Sequence, residues 1–199
     1  VGLSFAKGDD PVQSRRRDFT PTVRGPSDAP AGAVHGEGAA YQDYLRDRVL
    51  PFVAGRYRTD PAQKLFLGHS YGALLGTQIL FTDPAMFDGY ILGSPSLWYD
   101  KRHMFAVEKA YAAAHRDLPA KVYVYTGEYE ALRAGDARYN RTVDLVGDSR
   151  ALVATLEGRG YPGLAIRSDV LNDEDHVSVA PRGFTKGLQY LLPVPLAAK

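Results

Sequence analysis

The sequence predicts one α/β domain with a mostly parallel sheet and helices on both faces. Three observations carry that expectation. Short apolar runs at residues 65–67, 89–93, 121–126 and 164–170 alternate with helical patterns at 73–81, 103–114, 141–157 and 180–192. A length of 199 residues, 45% hydrophobic and 24% charged, suits a single soluble unit with a sizeable core spanning residues 1–199. Finally, the apolar run Leu65-Phe66-Leu67 leads through Gly68-His69-Ser70-Tyr71-Gly72 directly into a helical stretch. A G-x-S-x-G motif between strand and helix is the context of a nucleophile elbow, which lifts a serine hydroxyl above the sheet on a strained turn.

In chain order, residues 1–5 read as a strand, and residues 7–30 as a long loop rich in Pro, Gly, Asp and Arg. Within it, Arg15-Arg16-Arg17-Asp18-Phe19 reads as a solvated face with Phe19 tucked inward. Residues 31–38 are expected to be flexible, with His35 a plain loop residue. Tyr41, Leu45, Val49, Phe52 and Val53 recur at helical spacing over residues 39–57, and Pro51 is expected to kink that helix. The elbow follows. Its glycines, Gly68 and Gly72, are expected to leave room where a β-carbon would collide. The first N–H groups of the next helix have no partner inside it and can hold a developing negative charge. The bland alternative is a Gly-rich turn in which Ser70 only caps a helix.

A serine hydroxyl needs a base to take its proton. In a parallel sheet the site lies beyond the carboxyl ends of the strands, which selects the loops after Leu67, Leu92, Thr126 and Val170. Of five histidines, His176 follows the last strand, in a loop on that edge. His69 is next to the nucleophile and is expected to point away from it. His103 and His115 sit in or beside a helix. The imidazole needs a carboxylate in turn, and the order Ser, acid, His places that acid between them. Glu128 and Glu130 both follow the strand over residues 121–126, and spacing alone does not choose between them. Asp136 lies further out, and Asp173, Glu174 and Asp175 are too near His176 in sequence to reach round to its far nitrogen easily.

Composition narrows the partners. A net charge of +1 gives no electrostatic case for nucleic acid or a membrane surface, and no apolar run approaches a membrane span. The absence of Cys excludes disulfides and thiol chemistry without revealing the compartment, and no signal peptide is visible at residues 1–6. No His or Cys set has metal-ligand spacing, so no metal or cofactor is expected.

With these residues in hand, the chain resembles the broad esterase family of α/β-hydrolases that includes siderophore (enterobactin-type) esterases, S-formylglutathione hydrolases, feruloyl esterases and mycolyltransferases. The resemblance is closest to the predicted-hydrolase branch near the siderophore esterases. It rests on Arg17-Asp18-Phe19-Thr20-Pro21, Tyr57-Arg58-Thr59-Asp60-Pro61, Gly68-His69-Ser70-Tyr71-Gly72, Ser94-Pro95-Ser96-Leu97-Trp98, Gly127-Glu128-Tyr129-Glu130 and Asp173-Glu174-Asp175-His176. It implies an α/β-hydrolase fold with Ser70 as nucleophile, His176 as base and Glu130 as acid, Glu130 standing three residues after a Gly that closes the preceding strand. It also implies the Tyr71 N–H as one oxyanion donor and the Trp98 loop as part of the pocket wall. Family members begin with additional strands and a loop supplying a second oxyanion donor. Val1 matches a strand after that loop, so the resemblance implies that the N-terminal part is missing here. The expected activity is cleavage of a small-molecule carboxylic ester. A catalytically silent binding protein on the same fold, and an acyltransferase or peptidase using the same triad, are the competing readings.

Overall fold

The computed structural model describes residues 1–27 and 29–192; Asp28, within the loop expected over residues 7–30, and the last seven residues lie outside it. Four strands, β1 (Leu65–His69), β2 (Gly89–Gly93), β3 (Lys121–Gly127) and β4 (Ala165–Leu171), form one parallel sheet in the order β1-β2-β3-β4. Parallel neighbours need a crossover, and a helix supplies each one. These are α4 (Tyr71–Thr82), α5 (Tyr99–Ala114) and α6 (Leu145–Arg159), and α7 (Val179–Leu191) follows β4.

The strands are near-continuous apolar runs because both faces of the sheet are covered. Tyr90, Leu92, Val122 and Val124 join the core beneath α4, α5 and α6. Ile91, Tyr123 and Tyr125 point the other way, into a second cluster with Val179 and Leu191 of α7. Helices therefore lie on both faces, as the alternation of patterns implies.

Glycines set how closely the layers approach. A Cβ on Gly183 of α7 would lie 2.3 Å from the Tyr125 ring, and one on Gly93 would lie 2.0 Å from the Tyr125 hydroxyl. Tyr125 thus lies in a slot kept open by two glycines. Gly183→Ala is expected to destabilise the fold by about 1–3 kcal/mol, because overpacking outweighs the better helix propensity of alanine. Gly158→Ala in α6, with open space around the site, should instead stabilise by about 0.5 kcal/mol. Paired denaturant titrations check this; two shifts of the same sign would contradict it.

Several expectations are corrected before β1. Residues 1–10 form no strand, and Val1, Leu3 and Phe5 are exposed; an extended segment becomes a strand only against a partner's ladder. The expected loop contains a helix, α1 (Pro11–Asp18), capped by Asp10, whose side chain accepts from the Gln13 N–H at 2.8 Å, with Pro11 at its first position. Phe19 is tucked against Tyr41, ring centroids 5.3 Å apart. His35 is buried rather than loose, its ring filling the space beside Gly25.

The helix expected over residues 39–57 is continuous. It runs from α2 (Gly38–Tyr44) through a π-helical segment (Leu45–Val49) to α3 (Leu50–Arg56). The Leu50 N–H donates to the Leu45 carbonyl, five residues back. A widened turn just before Pro51 relieves the clash between a proline ring and the carbonyl four residues earlier, so the helix adjusts instead of breaking. α5 is assigned from Tyr99, but Asp100, Lys101 and Arg102 have φ of 43°, 55° and 65°, so right-handed geometry begins at His103, the expected start.

Candidate active site

The site is built at the carboxyl edge of the sheet. β1 ends at His69 and α4 begins at Tyr71, leaving Ser70 alone to reverse the chain. Its backbone takes φ 59° and ψ −121°, a conformation that a residue with a side chain rarely adopts. Three hydrogen bonds hold it there: the Ser70 N–H donates to the Gly93 carbonyl at 2.9 Å, and the Ser70 carbonyl accepts from the Leu74 N–H at 3.0 Å and the Ser96 N–H at 3.4 Å. A Cβ on Gly68 would come within 2.3 Å of the Gly72 carbonyl oxygen, so glycine is required at 68. Gly72 has open space around it. The expectation that both glycines avoid a collision therefore holds for one of them.

The loops after β3 and β4 meet beside this elbow. Glu130, 1% exposed, places Oε1 2.5 Å from His176 Nδ1. Its other oxygen, Oε2, accepts from the Gly127 N–H and from the Ser94 hydroxyl, both at 2.6 Å. Only donors converge on this carboxylate, which fixes its plane toward the imidazole.

Glu128 points elsewhere. It accepts from the Tyr139 hydroxyl at 2.7 Å and from the Asp173 N–H at 3.0 Å, and these bonds hold its carboxyl below the usual range. It ties the loop after β3 to the loop after β4. A second tie is the Tyr129 N–H donating to the Glu174 carbonyl at 3.0 Å. The three acidic residues before His176 also have structural partners. Asp173 accepts from the Tyr129 hydroxyl, Glu174 pairs with Arg182, and Asp175 accepts from the N–H groups of Val177 and Ser178. This last turn starts the chain toward α7 and leaves the His176 ring half-exposed at the sheet edge.

Among the described residues, the hydrogen bond of Ser70 Oγ is to Ser96 Oγ at 3.4 Å, and none joins it to His176. Such contacts are commonly long in a resting site and tighten around a bound substrate. Tyr71 stands directly after Ser70 at the start of α4. Its ring lies 6.3 Å from that of Trp98, which is half-buried in the loop after β2 and packed against the core.

Sequence reasoning missed Ser94 and Ser96. Both are buried, and Ser94 has a φ of 42°. Two serines flanking a proline directly after a strand on the site edge were the available signal; their contacts with Glu130 and Ser70 depend on how separate loops meet. The His69 ring packs against the loop that bears His176.

An elbow after one strand of a parallel sheet, an acid after a later strand and a histidine beyond the last strand together define an α/β-hydrolase. The chain belongs to the esterase family: the family model described as "Putative esterase" matches residues 13–163. It is 30% identical, over 94% of its length and 68% of the relative's, to the siderophore triacetylfusarinine C esterase of Aspergillus fumigatus. It is 24% identical to the ferri-bacillibactin esterase BesA of Bacillus subtilis, over 96% of this chain and 66% of that protein. Among solved structures, the BES protein from Bacillus cereus superposes with a TM-score of 0.75 at 23% identity, covering 92% of this chain and 66% of that one. The chain therefore spans about two thirds of the length of these proteins. No helix among the described residues is long and apolar enough to cross a membrane.

Proposed function

We propose that this chain carries the catalytic centre of a serine esterase that cleaves a carboxylic ester through an acyl-enzyme, with siderophore-type esters as its substrate class. The observation that carries the reading is the buried Glu130 carboxylate, held by Ser94 and Gly127 and set 2.5 Å from His176 Nδ1 beside a serine on a strained elbow. The substrate class rests on the named activities of the relatives.

In this reading Ser70 Oγ attacks the ester carbonyl while His176 Nε2 takes its proton. Glu130 accepts the hydrogen bond from Nδ1–H, which sets the tautomer and stabilises the imidazolium that forms. The tetrahedral oxyanion lies against the N-terminus of α4, where the Tyr71 N–H follows the nucleophile. One such donor is worth about 10²–10³-fold in kcat. His176 then protonates the departing alcohol, and water attacks the acyl-serine by the same route in reverse. An acyltransferase or peptidase would use the same groups; the relatives' named activities favour water as acceptor.

The test is release of acid from a short-chain nitrophenyl ester and from a cyclic triester siderophore backbone. Hydrolysis of both, with a higher kcat/KM for the triester, is expected, and failure to hydrolyse any carboxylic ester would contradict the reading. Trp98, in the loop after β2 with its ring centroid 6.3 Å from that of Tyr71, is proposed as pocket wall. Trp98→Ala should change the ratio of kcat/KM between aryl and short aliphatic esters several-fold. A large fall in melting temperature with an unchanged ratio would make Trp98 a core residue instead.

A further inference from the structure

The elbow histidine has a place that the proposed reaction does not use. His69 Nε2 lies 2.7 Å from the backbone carbonyl of His176, and its Nδ1 lies 3.2 Å from the Tyr125 hydroxyl. A carbonyl only accepts, so Nε2 carries the proton and donates. Nδ1 then accepts, and the Tyr125 O–H donates to it. The ring stacks on Tyr125, with planes 20° apart, and its centroid is 4.7 Å from that of His176. Tyr125 is itself fixed in the slot beside Gly93 and Gly183. One connected path therefore runs from the centre of the sheet to the backbone of the candidate base.

Resting on the esterase reading, we propose that His69 is a positioning residue: a neutral imidazole, clamped by Tyr125, that grips the His176 carbonyl and holds its ring against Glu130 and toward Ser70.

The charges around it agree with that role. The groups facing His69 are Tyr125, His176, Glu130 and, more distantly, Arg15. Burial, reinforced by the His176 charge, holds the His69 ring below the ordinary histidine range, so it stays neutral beside an imidazolium. Burial pushes the Tyr125 phenol up, which keeps its O–H as a donor. His176 follows a loop rather than a regular element, and its backbone needs an anchor besides the turn made by Asp175. A misplacement of about 1 Å in a catalytic group can cost about 10²-fold.

The test compares His69→Leu, which removes both ring nitrogens, with His69→Gln, whose amide N–H reaches the Nε2 position. His69→Leu should lower kcat about 100-fold with KM changed less than about 3-fold, and His69→Gln should recover to within about 10-fold of the parent. The second readout needs no substrate. The downfield proton of His176 Nδ1–H, identified by its loss in His176→Ala, should persist in His69→Gln and broaden away in His69→Leu. Tyr125→Phe, which keeps the ring in its slot, should lower kcat several-fold and covers the case in which His69→Leu does not fold. Parent-like kcat in His69→Leu or, if it does not fold, in Tyr125→Phe would overturn the proposal, as would a His69→Gln variant no better than His69→Leu. If no ester is turned over, the esterase reading fails, but the proton signal still reports whether His69 holds His176.

Discussion

Ser70→Ala should lower kcat for a short-chain nitrophenyl ester by about 10⁴-fold or more, while leaving the fold intact. The proposal gives Ser70 Oγ the covalent step, which no neighbour can take over. Ser96 Oγ is 3.4 Å away, but Ser96 is buried and lies off the elbow. Alanine tolerates φ 59° and ψ −121° no better than serine does, so the backbone strain is unchanged, and the hydrogen bonds from Ser70 N–H and Leu74 N–H are kept. Far-UV circular dichroism and the melting temperature should therefore match the parent. Turnover at the parent rate in a folded Ser70→Ala variant would place the chemistry on another residue.

The second large effect is expected at Glu130. Glu130→Gln should lower kcat about 10³–10⁴-fold and leave KM nearly unchanged. The environment of Oε2 makes the reason specific. The Gly127 N–H and the Ser94 O–H both point at it, and the Gly127 N–H can only donate. A glutamine would therefore turn its carbonyl oxygen to that side and its NH₂ toward His176 Nδ1. Facing a donor, Nδ1 becomes the acceptor and the ring proton moves to Nε2, so the nitrogen facing Ser70 no longer takes a proton. Glu128→Gln should cost less than about 10-fold, because Glu128 braces Asp173 and Tyr139 without touching the imidazole. Steady-state kinetics on the two variants separate them; equal losses would contradict the assignment of Glu130 as the acid.

The elements that carry the site were legible because each follows from local chemistry. Apolar runs covered on both faces gave the four strands, and the elbow was readable from Gly68 and Ser70, one required by a backbone contact and the other held at positive φ. His176 stood out because it follows the last strand on the site edge, whereas His69 adjoins Ser70 in the motif and His35, His103 and His115 lie elsewhere. The choice between Glu128 and Glu130 was not local. The residues stand two apart in a 3₁₀ turn, and their directions are set by how Gly127 packs against the Glu174 carbonyl. Spacing left both open, family resemblance favoured Glu130, and the structure brings Glu130 to His176.

What escaped the sequence was mostly long-range. Ser94 sits 36 residues from the carboxylate it donates to, and His69 sits 107 from the carbonyl it grips. One miss was local: Asp10 and Pro11 form an ordinary helix start, and the three arginines after them obscured it. The expected strand at residues 1–5 failed for the opposite reason, since an extended segment does not become a strand without a neighbour.

In the proposed mechanism Ser70 is an activated nucleophile, and covalent labelling reads that activation. A fluorophosphonate probe reacts with a serine whose proton is being withdrawn and leaves ordinary surface serines untouched. A single adduct per chain is expected, mapped by peptide mass spectrometry to Ser70 and formed at a rate that falls sharply in His176→Ala and in Glu130→Gln. An unlabelled Ser70 in the folded protein, or an adduct mapped to a different serine, would contradict it.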